Sequence, residues 1–269
     1  MQPSHLEIVD TAADQRFRVL ARKISLDPDD VWVGGYVNYQ WTHDRYLLEQ
    51  YDIGGKDVLE FGCNTGATAV VLAHLGARVT AVDVNATYVA LGRVNAERYG
   101  VAQNIQFLHV PDTTKLPFAT ESFDLVTAMS VLEYVPSDRL PDVQKEIDRV
   151  VRRGGIILVT GTSSRLWPKE VHSGRWLVNY LPLAVDSLLS LPKPLQRGIF
   201  PQQVRHGFGA YVNLDLQDQG ATYLEAKAKM ERSAAKLQLL HVANRLLNKL
   251  GLSVGLCMPS IAVALRKAS

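Results

Sequence analysis

Apolar residues follow two different spacings along this chain. In the first fifty residues Phe17, Leu20 and Ile24 recur at helical intervals, and Pro28 with its acidic neighbours Asp27, Asp29 and Asp30 breaks that helix. Residues 43–51 read as a further helix. From residue 57 short apolar runs alternate with helical stretches. Strands are predicted at Val58 and Leu59, then over residues 78–82, 105–110, 125–129 and 156–160. Helices are predicted between them over 67–75, 85–100 and 138–151, stopped by Gly76, by Gly100 and by Arg152-Arg153-Gly154-Gly155. Strands separated by helices in this way predict a parallel sheet covered on both faces. Thr222 and Glu225 suggest a capping box that opens one long helix to about residue 250, with Met230, Ala234, Leu237, Leu240 and Leu247 on one face. Residues 261–265 form a last apolar strand.

The chemistry gathers at the first strand-to-helix turn, Glu60-Phe61-Gly62-Cys63-Asn64-Thr65-Gly66. Beyond the carboxyl ends of parallel strands, loop amides and a helix amino terminus converge on a ligand. Gly62 permits the tight turn, and Gly66 lets the helix start approach the ligand. Asp83 follows Gly62 by 21 residues, at the end of the second strand, where a carboxylate can accept both hydroxyls of a ribose. A dinucleotide fingerprint would place a glycine where Asn64 stands, to admit a pyrophosphate. The acid Glu60 would repel a pyrophosphate and could hold an ammonium, so the charge favours a cationic ligand.

The segment from Glu60 to Gly66, with Asp83, resembles the first motif of the class I S-adenosylmethionine-dependent methyltransferases. Asn64 departs from their commonest glycine, although asparagine tolerates left-handed backbone angles. Further matches are Leu116-Pro117-Phe118, Ser122-Phe123-Asp124 and the Gly154-Gly155 pair before the fifth strand. Many relatives read Leu-Glu-His-Val where this chain has Leu132-Glu133-Tyr134-Val135, so Tyr134 stands in place of an imidazole. The resemblance covers roughly residues 55 to 162. It implies a Rossmann-like, doubly wound α/β fold: a mostly parallel seven-stranded sheet with an antiparallel last strand partnered within 211–216, and helices on both faces. It implies S-adenosyl-L-methionine as cofactor, with Glu60, Gly62, Cys63, Asn64 and Gly66 at its methionine end, Asp83 at the ribose, and Val84 and Asn85 lining the adenosine. Asp112 and Thr113 would meet the adenine, and Met129 and Ser130 would lie under the sulfur.

Outside that core, residues 1–50 read as an N-terminal helical cap, 51–162 as the cofactor-binding core, 163–212 as an inserted substrate lid, and 213–269 as elements completing the core. Trp32, Tyr36, Tyr39 and Trp41 crowd into ten residues around Gly34 and Gly35. Such rings either cap the core or shield a sulfonium, and Tyr36 is expected near the cofactor. The stretch 181–191 suits plain packing, a homodimer contact or an interfacial helix. Lys and Arg number 29 against 27 Asp and Glu, which gives no electrostatic footprint for nucleic acid. The two cysteines, Cys63 and Cys257, form neither a metal pattern nor a disulfide framework, and no apolar run is long enough for stable membrane insertion. A reducing cytoplasm is the expected location. The expected activity is methyl transfer to O, N or C of a small, hydrophobic or aromatic acceptor. A nicotinamide oxidoreductase and a non-methylating member of the fold are the alternatives. A hydroxyl acceptor would benefit from a base, for which His172, His206, Glu133 and Tyr134 are candidates.

Overall fold

The computed structural model describes residues 3–182, 184–190, 195–208, 210–231 and 233–269. Seven strands form one sheet: β1 (Asp57–Phe61), β2 (Arg78–Asp83), β3 (Ile105–His109), β4 (Phe123–Met129), β5 (Val151–Ser163), β6 (Tyr211–Asn213) and β7 (Ser260–Lys267). Their order is β3-β2-β1-β4-β5-β7-β6. The first five run parallel, and β7 enters antiparallel between β5 and β6. The chain reverses its direction across the sheet between β1 and β4, so the crevice between their carboxyl ends lies at the switch point where open α/β sheets bind ligands.

Twelve α-helices surround the sheet among the described residues: α1 (Thr11–Lys23), α2 (Tyr36–His43), α3 (Arg45–Leu48), α4 (Ala67–His74), α5 (Ala86–Arg98), α6 (Leu140–Val150), α7 (Ala184–Leu188), α8 (Pro201–His206), α9 (Leu214–Gln217), α10 (Ala221–Met230), α11 (Ala234–Lys249) and α12 (Val254–Cys257). Side chains alternate across the pleat, so the strands feed two cores. Val58, Val79, Ala81, Leu125 and Leu158 face a core shared with α4. Leu59, Val82, Val126 and Val159 face another, built against Leu140, Val143, Ile147 and Val150 of α6. Helix α4 is apolar almost all round because it is sandwiched, and its residues from Ala67 to Ala73 are all buried.

Two expectations from the sequence are corrected. The Arg152-Arg153-Gly154-Gly155 stretch is not a helix stop outside the fifth strand. It lies within β5 as an irregularity, between the pairings of Phe123 with Val151 and Leu125 with Ile156, and Gly154 takes a positive φ of 73°. The capping box and single long helix also give way. Helix α10 is headed by Gly220 in the left-handed region, and the Thr222 amide donates to Asp218 Oδ2. Helix α11 starts afresh, with Ser233 accepting from the Lys236 amide. Helix α10 stops at Met230, and Ser233, whose hydroxyl competes for local backbone amides, caps the next helix.

The N-terminal helices pack against this framework. Arg98 of α5, 2% exposed, binds Asp14 of α1 at 2.8 Å, stacks 4.0 Å from the Phe17 ring, and donates to Asn95 Oδ1. Asn95 in turn donates to the Thr65 carbonyl at 2.9 Å. Helix α2 reaches α4 through Thr68, whose hydroxyl donates to Gln40 Oε1 at 2.8 Å. Between β5 and α8 the insert includes a narrow turn in which Lys169 and Trp176 bridge antiparallel, and Arg197 clamps Asp186 of α7. Among the described residues no helix is long and apolar enough to cross a membrane.

Candidate active site

The turn after β1 is shaped by backbone that few residues adopt. Gly62 and Gly66 have φ of 78° and 77°, and Asn64 is left-handed at 47°. A Cβ on Gly62 would be driven into the Val131 side chain, and one on Gly66 would meet the Phe107 ring and the Gly92 backbone. Asp83 staples this turn to the next one. Its Oδ2 accepts from the Asn64 amide and its Oδ1 from the Asn85 amide, both at 2.8 Å. A carboxylate has about four acceptor sites, so the two amides leave it room for two hydroxyls.

A cleft of about 180 Å³ opens here, walled by Gly62, Asp83, Val84, Thr113, Tyr134 and Arg139 among others. A larger hollow of about 1150 Å³ lies along Tyr211, Val212 and Leu265 at the outer edge of the sheet, away from this turn. Glu60 is not in the cleft wall. It is buried beneath, where desolvation pushes its carboxyl up to about 8, against the pull of a hydrogen bond to Thr68 and with the help of the Asp83 charge. Its Oε2 has no hydrogen-bond partner. A buried acceptor without a donor is costly, so this atom fits a cationic donor such as the ammonium of an amino acid. Tyr36 stands beside it, its hydroxyl raised to about 12 by burial.

The remaining sequence candidates divide. Cys63 is buried, and its thiol is pushed well up by desolvation and by the Glu60 and Asp83 charges, so it is not a nucleophile. The Asn85 side-chain oxygen caps α5, accepting from the amides of Thr87 and Tyr88. Asp112 is exposed and accepts from Thr114 and from Arg139 at 2.7 Å, and these hydrogen bonds hold its carboxyl below the usual range. Met129 and Ser130 end β4 outside the cleft wall, with Ser130 left-handed and its amide donating to the Thr160 carbonyl.

The base candidates converge. His172 Nε2 lies 2.7 Å from Glu133 Oε1, which also accepts from the Ser163 amide, and the His172 ring is 5.9 Å from that of Tyr134. Burial lowers the imidazole pKa, but the hydrogen bond and charge of Glu133, with the charge of Glu170, outweigh it and hold it above the ordinary 6.5. Burial, reinforced by the same two carboxylates, raises the Tyr134 hydroxyl to about 12, so it is no base near neutrality. The His206 side chain lies outside the described part of the structure. Sequence reasoning missed Glu170, whose buried carboxylate accepts from the amides of His172 and Ser173 and so fixes the His172 turn. It also missed Arg139, Gln40 and Thr68. Only Thr68 had a signal, a hydroxyl in the first turn of the helix that follows the glycine turn.

Residues 59–159 match the model of a family described as methyltransferase domain. Over 116 residues the chain is 35% identical to the sterol 24-C-methyltransferase ERG6B of Gibberella zeae, covering 42% of this chain but only 30% of that protein. A ubiquinone biosynthesis O-methyltransferase of Pseudomonas syringae pv. tomato is 24% identical over 199 residues, 71% of this chain and 80% of its own. In fold, an S-adenosylmethionine dependent methyltransferase from Mesorhizobium loti superposes with a TM-score of 0.53 at 16% identity, covering 85% of this chain and 97% of that one. None of these comparisons supports a nicotinamide oxidoreductase.

Proposed function

Because residues 59–159 form a class I S-adenosylmethionine-dependent methyltransferase domain, we propose that the chain methylates a hydroxyl of a small, apolar or aromatic acceptor, with His172 taking the proton. S-adenosyl-L-methionine supplies an activated sulfonium methyl for in-line displacement. Glu60 would hold its ammonium through the unpartnered Oε2, and Asp83 its ribose through the acceptor sites the two amides leave. Val84 and Thr113 would flank its adenine, and Tyr36 would close the methionine end.

The observation that carries the choice of a hydroxyl is the contact between Glu133 and His172. A carboxylate only accepts, so in the neutral ring Nε2 carries the proton and the lone pair is left to Nδ1, to which we assign the acceptor's proton, and the Gly161 carbonyl beside the ring favours the imidazolium so formed. An amine or carbanion acceptor would leave this pair without a task. The ubiquinone biosynthesis O-methyltransferase of Pseudomonas syringae pv. tomato, matched over 80% of its length, fits the same reading.

The test is incubation with S-adenosylmethionine and a panel of phenols, alcohols and amines. The expected result is S-adenosylhomocysteine together with a phenol or alcohol made heavier by one CH2 group. Methylation of amines alone overturns the hydroxyl reading. Absence of cofactor binding by calorimetry overturns the whole assignment.

A further inference from the structure

Helix α11 has two apolar faces. One carries Leu240, Ala243 and Leu247 and packs against a cluster that includes Tyr223, Val254 and Met258. The other turns outward: Leu239, Val242 and Leu246 are 71%, 52% and 58% exposed, and Leu250, just past the helix end, is 73% exposed. They recur every three or four residues and so lie along one stripe. One exposed leucine is ordinary, whereas an aligned row of four apolar side chains calls for a partner.

Charge narrows what that partner is. The stretch 234–249 contains Lys236, Arg245 and Lys249 and not a single Asp or Glu. Lys236 pairs with Glu231 ahead of the helix. Among the described residues Arg245 and Lys249 are exposed and have no acidic partner. Pairing the stripe with its equivalent on a second copy would bring these cations together with no acid in the helix to offset them. A lipid bilayer with anionic headgroups meets both features, with an acyl boundary for the leucines and negative charge for the cations. We propose that α11 docks the protein flat on an anionic bilayer, with Leu239, Val242, Leu246 and Leu250 at the acyl boundary and Arg245 and Lys249 against the headgroups.

This inference does not depend on the acceptor or on methyl transfer. It is tested by flotation of the full chain with vesicles of phosphatidylcholine alone or mixed with phosphatidylglycerol. The protein is expected to float with the mixed vesicles and to be released as salt rises. The double variant Arg245→Gln/Lys249→Gln should bind them about thirtyfold more weakly, and Leu239→Ser/Leu246→Ser should lose binding to them. Both variants should keep their S-adenosylhomocysteine affinity, which separates lost docking from lost folding. Wild-type protein left in the supernatant overturns the proposal, as do variants that float like wild type. A light-scattering mass of two chains that falls to one in the Leu239→Ser/Leu246→Ser variant overturns it too, since the stripe would then be covered by a second copy.

Discussion

His172 and Glu133 meet at 2.7 Å although they belong to different parts of the chain, the one to the turn of the insert and the other to the short helical turn after β4. The contact therefore does two things, joining the insert to the end of the sheet and fixing which imidazole nitrogen carries the proton of the neutral ring. His172→Ala and Glu133→Gln are each expected to lower kcat by about 10²–10⁴ with little change in KM. In Glu133→Gln the residual activity should reach half its maximum at a lower pH than in wild type, since the carboxylate that raises the imidazole is gone. Steady-state rates against pH would read both, and a variant with an unshifted profile would assign the pair to structure alone.

The same pair sets a stability window. The imidazole pKa is raised on folding, so its contribution is complete below the ordinary 6.5 and is lost as pH rises through the higher folded value. The insert is therefore expected to become more sensitive to limited proteolysis in alkaline buffer, over the pH range in which turnover increases. A cleavage rate that does not change with pH would contradict this.

Glu60 leads to a different pH dependence. Its carboxyl is raised to about 8 from an ordinary 4.5, so the cofactor-free protein loses stability as pH climbs between those values. Binding an ammonium reverses the balance by favouring the carboxylate. Binding of S-adenosylhomocysteine should thus release close to one proton near neutral pH, and affinity should rise about tenfold per pH unit up to about 8. Calorimetry in buffers of different ionisation enthalpy measures the proton, and Glu60→Gln should abolish its release while weakening binding by about ten- to a hundredfold. Proton uptake on binding would refute the assigned role.

Gly62→Ala should cost about 1–3 kcal/mol, because the residue needs a φ of 78° and the added methyl enters the space of Val131. Denaturant melts would show it. Adding Val131→Ala should recover the steric part but not the backbone part, and full recovery would mean that the backbone angle carries no strain.

Asp14→Ala would leave the buried Arg98 guanidinium without its charge partner, at an expected cost of about 3–5 kcal/mol. Replacing Asp14 by Asn should cost less, since one hydrogen bond survives. Equal melting temperatures for wild type and Asp14→Ala would show that the pair adds nothing.

The core between β1 and β5 was readable in advance because each of its signals is local. Glycine is demanded where φ is positive, apolar runs have strand length, and acids end strands. His172 and Glu133 stood out as base candidates by residue type, while their contact 39 residues apart appears only in the structure. What could not be read depends on contacts distant in sequence. Nothing near Arg139 says that it will hold Asp112, and nothing near Gln40 says that it will meet Thr68. Nor does the motif mention that Asp112 Oδ1 accepts from Thr114 and Arg139, or that Asn85 Oδ1 caps α5. The break between α10 and α11 was hidden because apolar residues keep a helical spacing across Ser233, whose capping preference decides the local geometry.

The run of hydrogen bonds from Asp14 through Arg98 and Asn95 to the Thr65 carbonyl makes the leading helix a tether for the glycine turn. Trimming the chain from its front end would thus not peel off an accessory. It would strand a guanidinium in the interior and loosen the grip on the loop that receives the ligand, so a shortened protein would lose ligand affinity along with its fold.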